Sequence, residues 1–349
     1  MTNRRRVEMN GASATRRELL RAVAAASLGG LLCPVASADA RVKRVAVLQA
    51  YLEESELSER DRGLAQALAD GGFREGSNLE ILWFDFPVKS RWDEVVPALV
   101  PKMIAARPDC IVAVGDNFVP YVFAATRTIP IVTDVSDPVK LGMAASFHRP
   151  AGNVTGFRGD EEAVNAKRIQ ILRSFAPASK CVAWIAFAPQ LIWFPWFEKA
   201  AASSGLRVRK VIIDVADAPR WDRLRKELSG LPKEGCTAAH FHSGIPRVID
   251  TVVDVARKQK LLLSYSGDGA RIDTEGLLFM YAESSRARGK VGSERVAAVI
   301  ARILRGEKPG DIPFEGPVGF YLNVNAKTAA RLGLAIPPDV RILADRVLE

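Results

Sequence analysis

The feature that most constrains the fold is a repeated alternation of short apolar runs with longer amphipathic runs. The apolar runs are rich in Val, Ile, Leu and Ala, as in RVAVLQA (44–50), DCIVAVG (109–115) and CVAWIAF (181–187). Strands that are apolar on both faces are typical of a parallel sheet with helices on each side. Between them lie segments with helical spacing, such as EAVNAKRIQILRSF (162–175). The alternation predicts an α/β fold of doubly wound parallel sheets.

The alternation falls into two series, and the break between them lies near residues 152–160. No Pro/Ser-rich linker occupies this break. Two lobes without a flexible linker indicate hinge strands, a connection that suits closure around a ligand.

The first forty residues are typical of an export signal. Basic residues in NRRR and TRRELLR precede an apolar stretch, Ala22 to Leu32, that is too short to span a bilayer. The segment ASADA then offers small-residue cleavage sites after Ala38 or Ala40. We therefore expect a periplasmic protein without residues 1–40. Its export route is left open between the twin-arginine pathway, which TRRELLR resembles, and general secretion.

Charge and motifs argue against several functional classes. The chain carries a formal net charge of +9, but its basic residues are dispersed and are not interleaved with aromatic residues, so no nucleic-acid site is indicated. No G-x-S-x-G, H-E-x-x-H or Walker A pattern occurs, so we expect no enzyme and no cofactor. Three widely spaced cysteines, Cys110, Cys181 and Cys236, are predicted to be buried free thiols.

Candidate ligand-binding residues lie where the predicted strands end, because ligands of open α/β sheets bind beyond the carboxyl ends of the strands. The side chains there are polar and aromatic, which suits a small polar solute with an apolar part. In the first series they are Gln49, Tyr51, Gly115, Asp116, Asn117, Thr133 and Asp134. In the second series they are Phe187, His242, Ser243, Tyr265 and Tyr281.

Two acids in DVSDPVKLG (134–142) invite different interpretations. Asp137 precedes Pro138, a pair that favours a helix cap before a short helix over PVKLGMAASF (138–147). Asp134 lacks any turn signal, so a role in the cleft and a solvated loop position both stay open.

Other polar and aromatic residues near the strand ends have plainer alternatives. Asp116 or Asn117 suits a helix cap, a role that is compatible with ligand binding. His240 and His242 share a face of one strand, but without carboxylate partners they do not predict a metal site. For Trp193 and Trp196, packing is favoured over an aromatic wall for the ligand.

Seven segments occur in an order that resembles the ABC-transporter substrate-binding protein family, which includes tryptophan- and phenylalanine-binding members. The resemblance spans about residues 43–349, and the segments are FREGSNLEI, RPDCIVAVG, TIPIV before SDPVKLGM, RPAGNVTGF, KRIQILRSFAP, AAVIARILRGEKPGDIPFEGP and NAKTAARLGLAIPP. It implies a type I periplasmic binding protein fold, in which three crossovers join two lobes around a ligand cleft. It also implies delivery of the ligand to a membrane permease, without catalysis.

On this resemblance we divide the mature chain into a first lobe, 41–157 plus 282–320, and a second lobe, 158–281 plus 321–349. The expected function is that of a monomeric solute-binding component of an ABC importer, whose partners are a small amino-acid-like or carboxylate ligand and the permease subunits. The alternative is a periplasmic sensor that presents its closed form to a membrane receptor.

Overall fold

The computed structural model describes residues 41–51, 54–87, 92–214, 217–218, 220–242, 246–266, 272–273, 276–283 and 289–349. Within these residues the strands form two sheets, each flanked by helices, which confirms the predicted α/β class. The predicted export signal and Ser243 lie outside the described residues. None of the helices in the described ranges combines the length and the apolar character needed to cross a membrane.

The first sheet has five strands in the order β2-β1-β3-β4-β5, and all its pairs are parallel. These strands are β1 Lys43–Tyr51, β2 Leu79–Pro87, β3 Cys110–Val114, β4 Ile131–Val135 and β5 Val154–Arg158. The helices in this part of the chain are α1 Glu54–Asp70, α2 Trp92–Ala105 and α3 Val119–Ala125.

The second sheet has seven strands in the order β12-β11-β10-β9-β8-β6-β7, and among the described strands only β10 and β11 pair antiparallel. The strands are β6 Cys181–Phe187, β7 Arg207–Ile213, β8 Cys236–His242, β9 Leu262–Tyr265, β10 Phe279–Glu283, β11 Phe320–Asn325 and β12 Arg346–Leu348. The remaining helices are α4 Glu161–Phe175, α5 Phe194–Ser203, α6 Asp222–Gly230, α7 Pro246–Lys258, α8 Gly289–Leu304, α9 Ala326–Arg331 and α10 Pro338–Leu343.

Each sheet lies between two apolar clusters, because successive strand side chains point to opposite faces. In β1, Val45 and Val47 join residues of α1 and α8, whereas Ala46 and Leu48 join residues of α2 and α3. In the second sheet, the side chains of β6 and β8 are divided in the same way between two clusters. The continuous apolar runs of the sequence therefore correspond to strands that are covered on both faces.

The order of the described elements takes the chain from one sheet to the other three times: between β5 and α4, between β10 and α8, and from the segment before β11 into β11. Two of these crossings are joined by backbone hydrogen bonds, since Arg158 N donates to Glu315 O at 2.9 Å and Glu315 N donates to Gly156 O at 2.9 Å. The Asp160 amide donates to the carboxylate of Glu283 at the third. The crossings thus lie close together and form the connection between the lobes.

The prediction of three free thiols is wrong for two of them. Cys181 and Cys236 form a disulfide, although they are 55 residues apart in sequence. They begin β6 and β8, and the parallel register of these strands places them opposite each other, a proximity that sequence spacing does not reveal. Cys110 is a buried free thiol, as predicted, and burial raises the pKa of this thiol.

The short helix expected over residues 138–147 does not form; turns occupy its place. Asp137 still caps this segment, because its Oδ1 accepts from Val139 N at 3.1 Å and from Lys140 N at 3.0 Å. Gly142 then adopts a φ of +69°, a left-handed conformation that ends helical turns. The capping role of Asp137 was predicted correctly, but it serves a turn.

We expect Thr155→Val to destabilise the fold by about 1–3 kcal/mol, because it leaves a buried carbonyl without its donor. Thr155 is fully buried, and its hydroxyl donates to Ile312 O at 2.7 Å. Valine keeps the shape and removes the donor. Urea unfolding would measure the change, with the exposed Thr237→Val in β8 as a matched control. Equal stability of the two variants would contradict the role given to this hydrogen bond.

Candidate functional site

A cavity of about 330 Å³ lies between the two lobes. Its volume falls at the lower end of the range of small-molecule sites. The first lobe lines it with Asp116, Ser136, Asp137, Lys140 and Leu141, and the second with Glu162, Ile192, Pro195, Trp196 and Lys199. We call it the inter-lobe cavity. Because both lobes contribute, a molecule that fills it would contact both at once.

The sequence places the first-lobe side chains through the ends of two neighbouring strands. Asp116 follows β3 and Ser136 follows β4, and these strands pair in parallel register, so their carboxyl ends meet at one edge of the sheet. Gly115 has a φ of +112°, a conformation that favours glycine and turns the chain directly after β3. This turn brings Asp116 beneath Ser136.

The second-lobe side chains come from the segment after β6. A 3-10 turn over Ala188–Trp193 follows that strand, and α5 begins at Phe194. The Phe187 amide donates to Gln190 Oε1 at 2.9 Å, which fixes the start of the turn. Trp196 and Lys199 are three residues apart, so they lie on the same side of α5 and face the first lobe together.

Charges of both signs line the cavity in pairs, one pair on each lobe. On the first lobe, Lys140 Nζ lies 3.5 Å from Asp137 Oδ2. On the second, Lys199 Nζ lies 2.8 Å from Glu162 Oε1, and this hydrogen bond lowers the pKa of the Glu162 carboxyl. Both pairs have exposed lysine side chains, so water screens them and their attraction is modest. A bound ammonium or carboxylate could therefore replace either internal partner.

The two lobes contact each other directly at residues that line the cavity. Trp193 Nε1 lies 2.7 Å from Asp116 Oδ2 and 2.6 Å from Ser136 Oγ. Lys140 Nζ lies 4.8 Å from the ring centre of Trp196, within the range of a cation–π contact. The two tryptophans for which plain packing was favoured thus contact the opposite lobe.

Within the second lobe, His242 of β8 lies next to Trp193, and His240 of the same strand lies next to His242. Their rings are 6.0 Å apart, and His242 lies 4.9 Å from the Trp193 ring. His240 is fully buried, with Nδ1 at 2.9 Å from Ser264 Oγ. Burial first, and then the positive charge of Arg168, lower the pKa of both imidazoles, that of His242 to about 3. Both rings are therefore neutral at pH 7, and among the described residues no cluster suited to a metal ion occurs.

The predicted strand-end residues occupy several different places. Asp116 lines the inter-lobe cavity, and the His242 ring lies 4.9 Å from that of Trp193, whose Nε1 contacts Asp116. Asp116 accepts from the Ser136 amide at 2.8 Å instead of capping a helix, and α3 starts after Phe118 without any side-chain cap. Asn117 is half-buried in the same turn.

The other predicted residues lie away from the cavity wall. Gln49 is buried and donates to Asp85 Oδ1 at 3.0 Å, and Tyr51 ends β1 half-buried. Tyr281 stacks on Phe320. Asp134 is half-buried within β4. Three residues are buried in the lobes, namely Thr133, Phe187 and Tyr265. A ligand-binding role for these residues stays a prediction.

Sequence reasoning missed most of the charged lining. Ser136 directly follows β4, and Lys140 lies in the segment where a helix was expected. Glu162 and Lys199 lie on helices that look solvent-facing in sequence. The charged faces of α4 and α5 carried no signal of their own, since their role depends on where the other lobe lies. The Asp-Pro signal at Asp137 did mark the right loop.

We expect His242 to make the protein less stable as the pH falls. Unfolded His242 takes up a proton near pH 6.5, whereas the folded imidazole does so only near its pKa of about 3. The unfolded state therefore binds more protons between these values, and stability falls with pH in that window. At 1.36 kcal/mol per unit, the loss between pH 6.5 and pH 5 is about 2 kcal/mol.

Urea unfolding at pH 7.5 and pH 5 would measure this, with His242→Gln as the comparison. The wild type should lose about 2 kcal/mol more than the variant over this range. Equal losses would show that folded His242 is already protonated at pH 5.

Comparisons with known proteins agree with this two-lobed architecture. The sequence model of the family described as ABC transporter substrate binding protein matches residues 44–213. A curated tyrosine-binding protein of Clostridioides difficile is 27% identical over 143 residues, which are 41% of this chain and 40% of that protein. The chain's match thus spans less than half of the length of this relative.

Solved structures share the fold over most of the chain. A domain of Streptococcus pneumoniae in complex with L-tryptophan aligns with a TM-score of 0.68 at 18% identity, covering 88% of this chain and 99% of that one. A ligand-free, open substrate-binding protein of Clostridium difficile aligns with a TM-score of 0.62 at 20% identity, with the same coverage of 88% and 99%. Residues 44–213 thus match the ABC transporter substrate-binding protein family, and the chain has a type I periplasmic binding protein fold.

Proposed function

We propose that this protein is the solute-binding component of an ABC importer, exported to the periplasm, and that it captures a small amino-acid-like ligand between its lobes. The observation that carries the proposal is the inter-lobe cavity, which both lobes line with charges of both signs. Its volume of about 330 Å³ suits a small molecule. We expect binding without turnover, by a monomer.

The lining suits a zwitterion with an apolar side chain. Lys140 or Lys199 would bind a carboxylate, and Asp137 or Glu162 would accept from an ammonium group. Leu141, Ile192, Pro195 and Trp196 supply an apolar surface of the kind that packs against a side chain. The relatives described as tyrosine-binding and as an L-tryptophan complex support an amino acid as the ligand class.

The mechanism is closure of the lobes on the ligand. Each lobe carries one acid–base pair, Asp137 with Lys140 on the first and Glu162 with Lys199 on the second. A ligand that contacts both pairs is therefore held fully only in the closed form. The free energy of these bridging contacts shifts the population towards closure. The closed form would then be the state that the permease subunits recognise.

Mass spectrometry of small molecules released from natively purified protein tests this function. We expect one amino acid or related carboxylate at near-stoichiometric yield, and calorimetric titration should reproduce its binding to the emptied protein. Release of no small molecule, with no heat from any of the twenty amino acids, would reject the proposed ligand class.

N-terminal sequencing of protein recovered from the periplasm tests the export step. Cleavage after Ala38 or Ala40 would give a first residue of Asp39 or Arg41. Retention of the first forty residues in the mature protein would contradict export by a cleaved signal.

A further inference from the structure

We propose that Trp193 is a positioning residue that latches the two lobes together through the protein's own atoms, whether or not a ligand is present. Its indole N–H, carried by the second lobe, lies 2.7 Å from Asp116 Oδ2 and 2.6 Å from Ser136 Oγ on the first lobe. The inference rests on the proposed function only for its effect on ligand affinity.

The acceptor is organised within the first lobe alone. The Asp116 carboxylate accepts from the Ser136 amide at 2.8 Å and from the Ser136 hydroxyl at 2.5 Å. Asp116 and Ser136 are only 4% and 8% exposed. These bonds do not depend on the second lobe, so the carboxylate is already in place when the lobes approach each other. A charged acceptor that needs no rearrangement makes a strong hydrogen bond.

The donor is organised within the second lobe. Trp193 ends the 3-10 turn after β6, and its ring lies 4.9 Å from that of His242, which belongs to the adjacent strand β8. The ring is therefore held by its own lobe at an orientation that directs the N–H outward. Trp196, three residues further along the chain, contacts Lys140 of the first lobe at 4.8 Å, which adds a second cross-lobe contact on the same side.

The latch alters the balance between the open and closed forms. A hydrogen bond to a charged group favours the state that makes it by about tenfold to a hundredfold. If the closed form is the state that retains ligand, the latch sets the fraction of ligand-free protein that is closed. The observed ligand affinity scales with this fraction. Trp193 would then tune capture without contacting the ligand.

Distance measurement on ligand-free protein tests the latch directly. Spin labels at Lys102→Cys on α2 and Ala202→Cys on α5 would report the separation of the lobes, because both positions are exposed. Cys110 is buried and Cys181 is bonded to Cys236, so these native cysteines should not take the label. The protein would be dialysed exhaustively and checked for residual ligand by mass spectrometry.

Trp193→Phe keeps an aromatic ring against His242 and removes the N–H. We expect it to lower the ratio of closed to open molecules about tenfold or more. Trp92→Phe is the matched control, since Trp92 contacts Phe118 and Tyr121 of its own lobe, and it should leave the distance distribution unchanged. An unchanged distribution in Trp193→Phe, or a wild type that is wholly open without ligand, would overturn the proposal.

A double-mutant cycle separates the hydrogen bond from the packing of the ring. Ser136→Ala should also favour the open form, and combining it with Trp193→Phe should add little, because both changes disrupt the same contact. Fully additive effects would assign the shift to ring packing and would reject the hydrogen-bonded latch. No ligand enters this test, so its outcome is independent of whether the proposed importer function is correct.

Discussion

Replacing both Cys181 and Cys236 by serine is expected to lower the free energy of unfolding by about 4 kcal/mol, on the chain-entropy account of disulfides. The bond joins residues 55 positions apart, so it removes much of the freedom of the unfolded chain. It also ties β6 to β8 at the start of both strands. The loss is a large share of the stability of a typical domain.

Guanidinium unfolding with and without a reductant would measure this contribution. Reduction should destabilise the wild type to about the level of the double serine variant and should leave that variant unchanged. If the wild type unfolds identically with and without reductant, the two cysteines are not bonded in solution. Since such bonds form and persist in oxidising compartments, protein recovered from the periplasm should contain the bond and protein made in the cytoplasm should lack it.

Asp137→Asn is expected to weaken binding of the amino-acid ligand proposed above by about 10- to 100-fold, because a hydrogen bond to a charged group contributes about 1.5–3 kcal/mol. Asp137 lines the cavity. Its Oδ1 accepts from Val139 N and Lys140 N in the turn, whereas its Oδ2 lies 3.5 Å from Lys140 Nζ. Asparagine keeps that acceptor and replaces the second oxygen with a donor. The turn should therefore survive while the ammonium loses its acceptor.

Asp134→Asn provides the control, because this acid is half-buried within β4 and is not among the lining residues of the cavity. Calorimetric titration of both variants, with thermal melts to confirm folding, would decide between the acids. A strong loss in Asp134→Asn together with full affinity in Asp137→Asn would assign the ammonium to Asp134 and would place the ligand outside the cavity described above.

Strands that are covered on both faces could be predicted from sequence, and others could not. Most buried residues of β1, β3 and β6 are apolar, which the local pattern reveals. β5 lies within residues 152–160, where the sequence predicted the break between the two series. Gly156 has a φ of +135°, and a Cβ there would lie 2.1 Å from Thr133 O, so close approach of the backbone explains the glycine. That approach is a tertiary contact, which local pattern does not encode.

The sheet edge beyond β10 was missed for a different reason. β11 has exposed or half-buried residues at three of its six positions, and the edge strand β12 has three residues, none of which is fully buried. Such short or partly exposed strands carry a weak apolar signal. The candidate site was predictable only in part for a related reason: strand ends follow from the pattern, whereas the approach of α5 to the loop after β4 depends on how one lobe sits against the other.

The three neighbouring crossings between the sheets have a mechanical consequence. Three neighbouring chain segments that join two rigid lobes bend readily about one axis. Together they resist both twisting and sliding of one lobe against the other. The backbone hydrogen bonds of Gly156 and Arg158 with Glu315 couple two of these crossings. This coupling adds to the resistance against twisting. The lobe closure proposed above should therefore follow a single angle, and a partner that distinguishes the open from the closed form would detect that angle.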